Sequence, residues 1–178
     1  EVVCPQRKFP LDLPTIRTCV RYMHQGLAAA FRRTDERLAV LEEMPPGVTL
    51  ASQLSGMRGE LMDAYGAVRM HALWAKVVAW ATAQQMIATQ DCVNGIRAID
   101  VNLFDEAFML AGQEIACATS IPYPTALGQL ELVARIGDCM PQSWMALDRG
   151  EISLQHVKAL ARASQNCSPR VAAAVEAK

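Results

Sequence analysis

Residues 113–165 read QEIACATSIPYPTALGQLELVARIGDCMPQSWMALDRGEISLQHVKALARASQ, and the punctuation of this stretch decides the fold class. A helix expected to end near Ser120 meets Ile121-Pro122-Tyr123-Pro124. Pro124 suits the first turn of the next helix, where no intrahelical N–H donor is needed, and Pro141 opens a further helix on the same logic. After Arg149, Gly150 suits the left-handed conformation that ends a helix, and the Ser153 hydroxyl suits the cap of the next. Four short helices joined by tight turns make a helix-turn-helix-like set, which either reads DNA or packs as a small bundle.

The upstream sequence supplies longer elements. From Pro14 to Glu43, Ile16, Val20, Met23, Leu27, Phe31, Leu38 and Leu41 keep a helical rhythm that Pro45-Pro46-Gly47 stops, with a break expected near Gly26. A short helix is predicted over Thr49–Leu54. A second long helix is predicted over Met57–Gln90, with Leu61, Tyr65, Val68, Ala72, Ala75, Ala79 and Met86 on one stripe. Between Ala72 and Ala83 that helix is apolar almost all round, which suits the centre of a bundle or a surface buried by a partner. Residues 91–101 lack a period and Asn94-Gly95 reads as a turn; Asn102, with Asp105 three residues on, is the expected cap of a helix over Leu103–Thr119. The expected fold is an all-α multi-helix bundle: two long helices and a C-terminal helix-turn-helix-like set. Residues 1–56 form an N-terminal helical segment and 57–178 a helical domain.

Composition agrees with that class. In 178 residues, 52% are hydrophobic and 20% charged, with few aromatics, which favours helices over sheets and excludes disorder. Six cysteines at 4, 19, 92, 117, 139 and 167 include no C-x-x-C pair; they suit either a disulfide set in a secreted protein or reduced thiols, and a chain larger and more apolar than a stapled mini-domain favours the thiols, with Cys117 as a small buried apolar residue. The longest uncharged apolar run, residues 77–90, falls short of the roughly 20 residues a membrane span needs, so the expectation is a cytoplasmic protein without a membrane partner.

Net charge is −1, so any attraction for nucleic acid must be local. Residues 7–33 carry Arg7, Lys8, Arg17, Arg21, Arg32 and Arg33 against Asp12 alone, a non-specific DNA arm or a solvated amphipathic helix. Residues 103–178 hold six bases against eight acids. Projecting the helix after Pro124 at 100° per residue sets Ala126, Leu127, Leu130, Val133 and Ala134 on a core face. The other arc carries Thr125, Gly128, Gln129, Glu131, Leu132, Arg135 and Ile136. Gln129 and Arg135 are the side chains able to reach base edges or phosphates, while Leu132 and Ile136 point to a second packing surface. On the last complete helix Lys158 and Arg162 are four apart and share a face suited to a phosphate backbone, or to water. His156 is expected to hydrogen-bond within the helix corner. No His, Lys or Ser constellation joins Glu60, Asp63, Asp105 or Glu106, so no catalytic residue is predicted, nor any metal or cofactor site. Trp74 and Trp80 are expected in the core, with dimerisation or docking of a further domain as the other use of the surface around them.

The run Pro141, Ala146, Leu147, Gly150, Ile152, Ser153 and His156, continued by Ser168-Pro169 and Val171–Ala177, resembles the 13E12-repeat proteins, catalogued as domain-of-unknown-function family 222. The likeness covers roughly residues 57–178, and because family members continue the Ala-rich helical pattern in which the chain stops, it implies a module truncated at its C-terminus. It implies an all-helical N-terminal module of actinobacterial proteins, many of which carry a C-terminal HNH endonuclease domain absent from this chain, where His24, His71 and His156 are isolated. Ser153-Leu154-Gln155-His156-Val157 is also similar to the helix-turn-helix of ParB-like partition proteins, which implies DNA binding. The functional expectation is a non-catalytic module associated with double-stranded DNA through Gln129, Arg135, Lys158 and Arg162. Its rival is an interaction or homodimerisation scaffold that never touches nucleic acid.

Overall fold

The computed structural model describes residues 13–99 and 106–176, and every element among them is helical. The order is α1 Leu13–Glu42, α2 Val48–Gly56, α3 Ala64–Ile99, α4 Ala107–Thr119, α5 Tyr123–Cys139, α6 Pro141–Asp148, α7 Leu154–Ala163 and α8 Pro169–Glu176. Asn102 and Asp105, with the cap assigned to them, lie outside the described residues. None of the described helices is long and apolar enough to cross a membrane.

Helix α1 runs unbroken through Gly26, where a break was expected. Its C-terminal half buries Leu38 and Leu41 against Leu73 and Val77 of α3 and Leu50 and Leu54 of α2, the first of three apolar clusters. Each fully buried leucine stabilises the fold by about 1.5–3 kcal/mol relative to exposure. Met57, at the expected domain boundary, belongs to this same cluster.

The second long helix begins at Ala64, seven residues after its expected start at Met57. Two local devices explain the delay. Gly59 takes a φ of +84°, which breaks the helical path, and the Asp63 carboxylate accepts the Gly66 N–H at 2.7 Å, capping α3. At its other end α3 continues through Asn94-Gly95, expected to be a turn, as far as Ile99. Tertiary contact outweighs that local signal: Val93 is buried with Ala107 and Ala111 of α4 and Leu130 of α5, flanked by Cys92 and Ile96. Most of the stripe read from the sequence is exposed. Ala79 and Met86 are core residues, but Leu61, Tyr65, Val68, Ala72 and Ala75 are exposed, and Gly66, Leu73 and Val77 face inward in their stead. Trp74 packs against the first cluster and Trp80 is half-buried.

The third cluster joins Ala79, Ala83 and Met86 of α3 to Val133, Ile136 and Cys139 of α5, Leu147 of α6, Val157 of α7 and Ala172 of α8. The turns of the opening stretch fall where the prolines put them. Pro124 sits in the first turn of α5 and Pro141 is the first residue of α6. Helix α4 ends at Ser120, which adopts a left-handed φ of 55°. Gly150 has a φ of +69°, and its missing side chain lets the α6–α7 turn rest on α3: a Cβ there would lie 2.5 Å from Lys76 Cγ and 2.8 Å from the Lys76 carbonyl oxygen. Cys117, expected to be buried, is exposed on α4. The inward face of that helix steps from Ala107 to Ala111 toward Ile115, and position 117 falls outside it. Cys92, Cys117, Cys139 and Cys167 are free thiols.

Candidate nucleic-acid interface

Helix α5 lies at the centre of the C-terminal half and is wrapped by α3, α4, α6, α7 and α8. Ala126, Leu130, Val133, Ile136 and Cys139 are its buried residues. Ile136, placed on the outward arc by projection, is therefore fully buried, and Leu132 packs against the third cluster. The reason is the number of neighbours: a helix covered on several sides needs a wider apolar arc than one packed on a single layer. Leu127 and Ala134, assigned to the core face, are only half-buried.

One side of α5 stays open where it passes α7. Gly128 and Leu132 of α5 and Ala161 of α7 floor a groove of about 490 Å³, rimmed by Glu131, Arg135, Lys158 and Arg162. Three of the four residues singled out in the sequence thus share one groove. The fourth, Gln129, joins Lys158 in lining a hollow of about 70 Å³ where α3, α5 and α7 meet. Gln165 also lines the groove; its place seven residues after Lys158, the same helical side as Arg162, was the signal that could have found it.

The three cations do different work. Arg135 donates through one terminal nitrogen to the backbone carbonyl of Ser164, with the Ser164 hydroxyl 3.4 Å away. Ser164 caps the C-terminus of α7, so the guanidinium sits against the negative end of that helix dipole and shares the carbonyl with the Cys167 N–H at 2.9 Å. Its Nε is buried and has no partner among the described residues. Lys158 and Arg162, one turn apart on α7, make no ion pair among the described residues; Lys158 is half-buried and Arg162 exposed. By contrast Arg37, Arg69 and Arg149 are each committed to a carboxylate. The groove gathers positive charge beside one carboxylate, Glu131.

His156 works at the start of α7. Its Nδ1 accepts the Ser153 N–H at 3.2 Å and lies 3.0 Å from the Ser153 hydroxyl, so the imidazole takes the place that a glutamate holds in a capping box. Glu60 and Asp63, weighed as carboxylates for catalysis, have structural partners: Glu60 pairs with Arg37 and accepts from Thr34 at 3.3 Å, and Asp63 caps α3. No group of three or more His, Cys, Asp or Glu side chains among the described residues is placed to hold a metal ion.

Of the basic N-terminal run, Arg7 and Lys8 lie outside the described residues, as do the side chains of Arg17 and Arg21 on α1. Arg32 and Arg33 are exposed and followed at once by Asp35 and Glu36. Comparison with protein-family models, curated proteins and solved structures returned no match for this chain.

Proposed function

We propose that the chain is a non-catalytic helical module that associates with double-stranded DNA, with α7 laid along the phosphate backbone and the α5–α7 groove facing the duplex. One observation carries this reading. Lys158 and Arg162 stand a turn apart with no ion pair among the described residues, on the rim of a groove that Arg135 also lines. Two or three cations so spaced match successive phosphates, whereas α5 offers only Gln129 toward base edges, so the contact is of the backbone-positioning kind. The resemblance of Pro141–His156 to 13E12-repeat proteins supports the same reading and adds a setting for it, beside an HNH nuclease domain lying outside this chain.

The test is titration of the chain with labelled duplex DNA over a series of salt concentrations. Two to three phosphate contacts give a slope of log affinity against log salt of about −2 to −3. Lys158→Ala and Arg162→Ala should each reduce that slope by about 1, with similar losses on unrelated sequences. Arg135→Ala is a poorer probe, because it also frees the end of α7. Absence of salt-dependent binding at low ionic strength, or a slope untouched by the double substitution, would overturn the proposal and leave the scaffold reading in its place.

A further inference from the structure

We propose that the cavity between α6, the end of α7 and α8 is a binding site for a small neutral molecule, largely apolar and carrying one hydroxyl or amino group. Its volume is about 300 Å³. Small-molecule sites begin at that size, and it suits a ligand of roughly 15 non-hydrogen atoms. The cavity lies across α7 from the cationic groove: Leu160 and Ala163 line the one, Lys158, Ala161 and Arg162 the other. Occupation of the cavity is therefore independent of DNA binding.

The walls are mostly apolar. Met140 and Ala172, both buried in the third cluster, line the inner side, and Leu160 stands 43% exposed at the mouth. Among them is a polar residue with nothing to bond. Ser143 is only 6% exposed, and its hydroxyl makes no hydrogen bond among the described residues, although its backbone N–H donates to the Glu176 carboxylate at 2.5 Å. Buried hydroxyls are nearly always partnered by protein or by a bound molecule, so this one offers a donor and an acceptor to an occupant. The Ser164 hydroxyl, which also lines the cavity, already donates to the Ala161 carbonyl at 3.2 Å. Ser143 is therefore the orienting group.

Charge narrows the class of ligand. Among the described residues no lysine, arginine or histidine lines the cavity, whereas the Glu176 carboxylate does. That carboxylate is held in place: it accepts the Gln142 N–H at 3.1 Å as well as that of Ser143, and so caps α6, where Met140 provides no side-chain cap. A carboxylate, sulfonate or phosphate ester entering here would lose hydration beside a fixed negative charge and find no counter-ion. A neutral alcohol or amine avoids that cost and can bond to Ser143.

Two fluorescent probes that differ by a single group test the assignment on the full chain: neutral N-phenyl-1-naphthylamine and the corresponding 8-anilinonaphthalene-1-sulfonate. The neutral probe should bind saturably, and the sulfonate at least about tenfold more weakly. Ala163→Trp, which blocks the cavity from an exposed position on its rim, should abolish binding and keep the helicity and melting temperature of the parent. Ser143→Ala should weaken binding about three- to tenfold without destabilising the free chain, because the hydroxyl it removes has no partner among the described residues. Alkylation of Cys167, whose half-buried thiol lines the cavity, should slow when the neutral probe is present, while that of exposed Cys117 on α4 should not. Absence of saturable binding, a sulfonate bound as tightly as the neutral probe, unchanged affinity in Ala163→Trp or Ser143→Ala, or an unprotected Cys167 would each overturn the proposal.

Discussion

Gly150→Ala should be among the most damaging single-methyl changes in this protein, and its cost can be built from two separate terms. The backbone there has a φ of +69°, a region that costs an L-residue about 1–2 kcal/mol. The added Cβ would also meet Lys76, at 2.5 Å from its Cγ, 2.8 Å from its carbonyl oxygen and 3.1 Å from its Cα. Two of those atoms are helix backbone in the middle of α3. The third belongs to a side chain whose ammonium is tied to the Met44 carbonyl, so Lys76 cannot swing aside without freeing the turn that follows α1. Overpacking of this kind costs about 1–3 kcal/mol, for a total of about 2–5 kcal/mol. In a domain of this size that corresponds to a fall in Tm of about 5–15 °C. Urea denaturation of Gly150→Ala beside Gly95→Ala is the measurement. Gly95 lies inside α3 with no positive φ, and a methyl added there would have nothing within 4 Å, so its alanine variant should gain about 0.5–1 kcal/mol. If Gly150→Ala proved as stable as the parent, the α6–α7 turn would not rest on α3 and the reasoning would fail.

The Arg69–Glu42 pair predicts an acid-sensitive contribution to stability. The hydrogen bond from Arg69 holds the Glu42 carboxyl below its ordinary value of 4.5, so its contribution is fully present above pH 4.5 and is lost as the pH falls through the depressed folded value. Thermal melts from pH 3 to 7 should show that loss in the parent and a flatter profile in Arg69→Met; identical profiles would exclude the pair as a source of acid sensitivity. Arg135→Met should lower stability by about 0.5–1.5 kcal/mol, because the Ser164 carbonyl loses one of its two hydrogen bonds and keeps only the Cys167 N–H. Hydrogen exchange should then quicken first in the last turn of α7, and exchange unchanged there would refute its role as a cap.

The short helices were legible because their boundaries are set by residues whose backbone constraints act locally. Pro124 and Pro141 start helices, and Gly150 and Ser153 separate α6 from α7, whatever the rest of the chain does. The ends of α3 were not legible for the opposite reason. Its start depends on Asp63 accepting one particular N–H, and its persistence through Asn94-Gly95 depends on Val93 finding α4, a partner that no local pattern reveals. The α3 stripe is intermediate. Its period can be read from the residues alone, but which half of it the molecule covers with its own helices is a matter of where α5 and α6 come to rest.

The same division separates the Pro141–His156 pattern from the candidate site. Pro141 begins α6, Leu147 is fully buried, Gly150 admits the close approach to Lys76, Ile152 packs on the third cluster, and Ser153 with His156 caps α7. Each position has a folding reason, so the pattern specifies a corner between two helices and says nothing directly about a ligand. Lys158 and Arg162 lie outside it, on the face of α7 that the corner leaves open, and Arg135 reaches the end of α7 from another helix. Charge reversal at Lys158 and Arg162 should therefore leave the fold intact, whereas changes within the pattern should unfold the corner without touching the cations. A ligand for this protein is to be sought through residues that its most recognisable motif does not contain.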